Sequence, residues 1–310
     1  MHNAFKGLVA AAALAAGLGS APALAEISVA ATIKPVHSLV AAVMAGVSEP
    51  DLVLDGPASP HVTALRPSQA RIIENAEVVF AVGEGLEAFL HKLMEADGGT
   101  RIVELAEAPG VERLEYRDAD AHDENEDDGD DAHDHDHGGM NPHVWLDPDN
   151  AKAMAAHIAT VLGTADPANA DVYDSNAEAL ARDLEALQSE IAAKLAPVKE
   201  WPFLVFHDAY HYFEARFGLN GLGAIVLNPE TPPGARRLQE IRHRIEEAGV
   251  VCVFSEPQFE VGYVTTVLDG TGARTASLDP LGVKVEPGPD AYSRIMTELT
   301  DALAGCLAEG

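Results

Sequence analysis

Basic residues are scarce in this chain. Twenty Lys and Arg stand against fifty Asp and Glu, a formal net charge of −30. A nucleic-acid-binding protein needs a basic footprint, so no nucleic acid is expected as a partner. An acidic surface instead repels phosphate and concentrates cations. Membrane-spanning runs are missing too. The apolar stretch at residues 7–19 falls short of the roughly 20 residues that a bilayer span requires. It follows Lys6 and precedes Ala23-Leu24-Ala25, a small-x-small cleavage pattern, so residues 1–25 read as a secretory signal peptide. The mature chain is then expected to start near Glu26, in the periplasm and without a lipid anchor, because no Cys follows the cleavage point.

Cysteine is almost absent as well: Cys252 and Cys306 are the pair. In an oxidising compartment two cysteines of this kind are expected to close a disulfide. The chain-entropy model credits such a loop with roughly 4 kcal/mol. The rival reading, thiolate metal ligands, is weaker because Cys252 lies in the apolar run 250–254.

What remains is ordinary globular sequence, with short β-branched runs alternating with amphipathic segments. Strands are expected at 27–33, 51–54, 78–82 and 101–105, with helices at 36–47, 67–75 and 86–95. Residues 168–195 hold no Gly or Pro and carry Leu180, Leu184, Leu187 and Ile191 on one face. A helix of that length spans roughly 40 Å. The alternation then resumes, with strands at 203–206, 222–226, 250–254 and 275–278. Helices are expected at 210–217, 236–247, 263–268 and 292–307. The fold class is α/β: two lobes, each a parallel sheet flanked by helices, joined by one long rigid helix. The divisions are 26–166 for the first lobe, 167–197 for the linking helix and 198–310 for the second lobe.

Residues 118–139 interrupt the first lobe. They hold no apolar residue larger than Ala, and so cannot offset the entropy of ordering. His122, His133, His135 and His137 are interleaved there with Asp. A plain charge run explains the carboxylates but not the alternation with His, which reads as an auxiliary metal-binding tract.

Four polar residues share an address, each falling at a strand end or loop exit: His61, His143, His207 and Asp279. Ligands of open α/β sheets bind beyond the carboxyl ends of the strands. Two come from each lobe, so an interlobe cleft can gather them. Three imidazoles and a carboxylate suit tetrahedral zinc. Four protein ligands close the shell, which favours binding over catalysis. A rival motif, His207-Asp208-Ala209-Tyr210-His211, has the four-residue His spacing of zinc hydrolases. It lacks their Glu and straddles a strand–helix junction.

With these residues in view, the chain resembles the zinc-specific solute-binding proteins of ABC importers, the ZnuA type. The resemblance rests on Lys34-Pro35-Val36-His37-Ser38, Ala58-Ser59-Pro60-His61 with Leu65-Arg66-Pro67-Ser68, and Asn141-Pro142-His143-Val144-Trp145-Leu146-Asp147-Pro148. It continues through Phe206-His207-Asp208-Ala209-Tyr210, Phe254-Ser255-Glu256-Pro257-Gln258 and Leu278-Asp279-Pro280-Leu281-Gly282. It implies two four-stranded lobes on a long helix, metal between them, a His-rich loop beside the site, and a disulfide between Cys252 and Cys306. Manganese and iron relatives place a carboxylate where this chain has His207; imidazole suits zinc there. Some zinc members carry Glu just before the first ligand, where this chain has Pro60. The fourth ligand is then Asp279 or a water, with Asp279 preferred. The resemblance implies Zn2+ as cargo and an inner-membrane ABC permease as partner. A periplasmic zinc metallochaperone is a candidate partner, and a monomer is the expected state. The alternatives are a zinc hydrolase on the three-His site and an extracellular metal buffer or adhesin-like protein.

Overall fold

The computed structural model describes residues 27–62, 64–94, 100–117, 139–226, 229, 233–259 and 262–308. The leader at 1–25 and the insert histidines His122, His133, His135 and His137 lie outside these described residues.

The first lobe runs β1 (Val29–Ile33), α1 (Lys34–Val43), β2 (Asp51–Leu54), α2 (Pro67–Asn75), β3 (Val78–Ala81), α3 (Leu90–Met94) and β4 (Arg101–Glu104). All pairings are parallel, in the order β2-β1-β3-β4. Every residue of β1 and β3 is buried, as expected of central parallel strands covered on both faces. The second lobe runs β5 (Phe203–His207), α6 (His211–Phe217), β6 (Gly221–Val226), α7 (Ala235–Glu247), β7 (Cys252–Ser255), α8 (Gly262–Leu268), β8 (Arg274–Ser277) and α9 (Ala291–Leu307). Its order, β6-β5-β7-β8, is again fully parallel. The two lobes therefore share one topology, although their sequences carry no visible repeat. In each, the order reverses between the first and third strands, the switch point where such sheets bind ligands.

Between the lobes lie α4 (Pro148–Ala165) and α5 (Ala170–Leu195), packed on each other. In α5 the buried residues are Tyr173, Ala177, Leu180, Leu184, Leu187, Ile191 and Leu195, a single stripe at helical spacing. At 26 residues the helix is about 39 Å long. Its stripe meets α1, α4 and α9, so residues of both lobes belong to one continuous core. A smaller apolar cluster, including Leu204, Phe206, Ile225 and Val253, fills the far side of the second sheet. Cys252 in β7 and Cys306 in α9 are disulfide-bonded, Cα to Cα 6.3 Å.

Two local differences from the sequence reading stand out. Helix α4 was not foreseen, although Asp147 caps its start by accepting from the Asp149 amide at 2.8 Å, with Pro148 at the first turn. The expected helix at 86–95 shrinks to α3. Before it, Glu87 is fully buried and its carboxylate accepts from the Gly83 amide at 2.9 Å, stabilising a turn instead.

Candidate metal centre

His61, His143 and His207 come together: their ligand atoms all lie within 4.8 Å of one another. Each arrives by a different route. His61 sits in the turn beyond β2, half-buried, its backbone N–H donating to Ser59 Oγ at 3.3 Å. His143 precedes the short 3₁₀ turn Val144–Leu146 and is buried against Trp145, ring centroids 5.2 Å apart. His207 is the last residue of β5, the strand at the switch point of the second sheet.

Their hydrogen bonds settle where the ring protons sit. His143 Nδ1 lies 2.8 Å from Asn141 Oδ1, and Asn141 donates its amide to the Asp208 carbonyl at 2.7 Å. The Asn141 oxygen therefore faces His143 as an acceptor, and Nδ1 carries the proton. His207 Nδ1 lies 2.6 Å from Glu256 Oε1, also an acceptor. With both Nδ1 atoms engaged elsewhere, the two Nε2 atoms face each other 3.2 Å apart. The Nε2 of His61 is also buried without a hydrogen-bond partner among the described residues. Two nitrogens bound to one tetrahedral zinc at 2.0–2.1 Å would stand about 3.3 Å apart. The His143–His207 pair has that spacing, and the third nitrogen, from His61, lies within 4.8 Å of both, so the group fits a zinc ion.

Electrostatics keep His61 and His143 neutral. Burial, then the neighbouring His207, pushes the His61 imidazole down to about 3. Burial likewise holds His143 well below the usual imidazole range, with His207 and His61 adding to the effect. The Glu256 carboxyl is raised by burial, against the stabilising pull of His207. Pro60, Trp145, Phe259, Pro280 and Leu281 wall much of the cavity with apolar surface, so the nitrogen donors face a largely apolar pocket.

Asp279 stands outside the three-imidazole group. Its Oδ1 accepts from Gln258 Nε2 at 2.8 Å and from the amides of Leu281 and Gly282 at 3.2 and 3.0 Å; its Oδ2 accepts from Val283 at 2.6 Å. The carboxylate caps its own loop. That loop turns at Gly282, whose φ is +64° and where a Cβ would meet Ile295 at 2.4 Å, a position only glycine fills.

The rival spacing motif comes apart. His207 ends β5 while His211 opens α6 and lies outside the metal group. Asp208 is buried and engaged by Arg117, which also donates to Glu214 at 2.5 Å. Burial raises Glu214 to about 7, with the Arg117 charge opposing that rise. Arg117 and Asn141 flank the acidic insert, and both reach Asp208, the residue after His207. The two stems also pair, Tyr116 N–H to the Gly139 carbonyl at 3.2 Å. Sequence reasoning passed over Asn141 and Glu256 as supports. The available signal for Glu256 was its position directly after the apolar strand 252–255.

Residues 29–306 match the family described as ZnuA, zinc-uptake complex component A periplasmic. A high-affinity zinc uptake system protein ZnuA of Brucella suis biovar 1 is 44% identical over 334 residues, covering 100% of both chains. The protein of that name from Yersinia pestis is 37% identical, over 92% of each chain. Among solved structures, a crystal structure of ZnuA superposes with a TM-score of 0.74 at 24% identity, covering 90% of this chain and 98% of that one. The solute-binding protein FpvC of Pseudomonas aeruginosa with Ni2+ superposes at 0.76 with 22% identity, covering 92% and 97%. These structural likenesses speak for the fold.

Proposed function

We propose, on the premise that this chain belongs to the ZnuA family of periplasmic zinc-uptake components, that it captures Zn2+ for an ABC importer on His61, His143 and His207. The observation that carries the reading is that the Nε2 atoms of His143 and His207 stand 3.2 Å apart with both Nδ1 atoms hydrogen-bonded elsewhere. Two lone pairs at that distance repel unless a cation lies between them, and His61 completes a three-nitrogen face.

The protein's own work is to hold three imidazole donors in place in a pocket walled largely by apolar side chains. Burial depresses His61 and His143, so few protons compete for their lone pairs at neutral pH. Imidazole donors favour zinc over manganese, which leans towards carboxylate oxygen. A water fills the fourth position while Asp279 keeps its loop hydrogen bonds; Asp279 joins the shell by giving them up. The role is binding and delivery, not turnover. Asp208, the acid of the hydrolase-like motif, is occupied by Arg117.

The receiving partner is the membrane permease of a zinc importer. Cleavage of residues 1–25, action as a monomer in the periplasm, receipt of metal from a periplasmic metallochaperone, and weak auxiliary binding by His122, His133, His135 and His137 belong to the same reading. So does the division into lobes 26–166 and 198–310 about a linker at 167–197. Calorimetric titration of the mature protein with zinc and with manganese tests it. One tight zinc per chain with far weaker manganese is expected; equal affinities, or no tight zinc, would contradict it.

A further inference from the structure

Glu256 lies just beyond β7, 2% exposed, with Oε1 2.6 Å from His207 Nδ1. Its other oxygen, Oε2, is buried with no hydrogen-bond partner among the described residues. The donors that steady its charge, the ring Nδ1 and the backbone N–H, both belong to His207. Tyr210 Oη is likewise buried and unpartnered, and Glu256 is the leading charge acting on it.

Buried polar atoms in folded proteins are nearly always paired, and a buried carboxylate with an idle oxygen weighs against folding. Among the described residues, no helix end or loop amide uses this carboxylate as Asp279 is used by its loop. A group that the fold keeps at a cost to itself points to function. The three imidazoles are not backed alike. His143 is oriented by a neutral amide, Asn141, whereas His207 is oriented by a carboxylate. A dication on three imidazole nitrogens brings two positive charges into an apolar pocket, with no carboxylate on the metal to offset them while Asp279 stays in its loop. Glu256 supplies a negative charge one hydrogen bond away. It also fixes the His207 tautomer and makes its Nε2 a stronger donor.

We infer that Glu256 is a positioning and charge-compensating residue, retained at the expense of metal-free stability because its carboxylate tightens zinc binding through His207. The inference rests on the three-His zinc reading and adds what sets the strength of that site. Loss of such outer-shell partners weakens metal binding by about 10–100-fold.

Glu256→Gln separates the two roles, because the amide keeps the size and can still accept from Nδ1 but removes the charge. Zinc affinity is read by competition with a chromophoric chelator, and the metal-free protein is melted in parallel. The expected result is zinc affinity lower by about 10–100-fold with a metal-free Tm unchanged or raised. Glu256→Asp, which keeps the charge on a shorter arm, should fall between wild type and Glu256→Gln. Glu256→Gln binding zinc as tightly as wild type would overturn the inference. A loss that merely follows a fall in metal-free Tm, or Glu256→Asp binding more weakly than Glu256→Gln, would do the same. If the wild-type protein itself took no zinc, the three-His reading would fail first, and the two failures are told apart by that control.

Discussion

Lys34, the first residue of α1, extends across the molecule to the loop of Gly282, donating its Nζ to that carbonyl at 2.8 Å and to the Val285 carbonyl at 2.7 Å. The ammonium is buried, and the loop it ties is the one that Asp279 caps from within. Trp145 reinforces the same loop through Nε1 to the Pro280 carbonyl at 3.0 Å, and Tyr292 holds Trp145 through its backbone carbonyl at 2.8 Å. The lobes are thus pinned beside the metal cavity as well as along α5. Hinge-type closure of the lobes is therefore expected to be small, with zinc released by local loop movement. Solution scattering of the metal-free and zinc-loaded protein should give nearly the same radius of gyration; a large compaction on loading would count against this. Lys34→Met should cost about 1–3 kcal/mol by stranding buried carbonyls, read as a lower Tm.

Whether Asp279 serves its loop or the metal is open to test by a single change. Asp279→Ala removes the acceptor for three loop amides and Gln258. Metal-free stability should fall by about 1–3 kcal/mol, while one zinc per chain still binds. Complete loss of the zinc site in a protein that remains folded would put Asp279 in the shell, as the sequence reading preferred.

Acid should weaken the metal-free fold in a defined window. The folded His61 titrates at about 3 against 6.5 when free, and His143 is also far depressed. Below about pH 6.5 the unfolded chain binds protons that the folded chain refuses, so stability falls as pH drops towards 3. The slope is up to about 1.4 kcal/mol per pH unit for each group. Melting the metal-free protein from pH 7.5 to 5 should show a steady fall in Tm. A flat profile would mean that these rings are not held neutral.

The acidic insert is expected to add capacity and not to build the tight site. Replacing residues 118–138 by a short Gly-Ser linker should lower total zinc per chain and leave the tightest affinity unchanged. The stems Arg117 and Asn141 keep their grip on Asp208 in such a variant. Equal loss of the tight site would refute the division of labour.

Most strands were readable because their β-branched runs sit between turn signals, and α5 because its stripe is long and free of Gly and Pro. Helix α4 escaped notice because Ala fills so much of 148–165 that the contrast between its faces is weak. The three histidines were found by address, at strand ends and loop exits. Glu256 has the same address, but a lone Glu after an apolar run looks like a solvated turn until His207 Nδ1 is seen 2.6 Å away. Asp279 had the same address, and the turn at Gly282 brings three amides to its carboxylate. Side-chain direction in a loop depends on such backbone detail, which periodicity does not carry.

The central claim is that three imidazoles hold one zinc ion. Zinc-edge X-ray absorption of the protein lacking 118–138, loaded with one equivalent, tests it most directly. Three imidazole nitrogens at about 2.0–2.1 Å with one further oxygen are predicted, and His207→Ala should remove one imidazole from that shell. A shell with fewer than three imidazoles, or one unchanged by His207→Ala, would contradict the account.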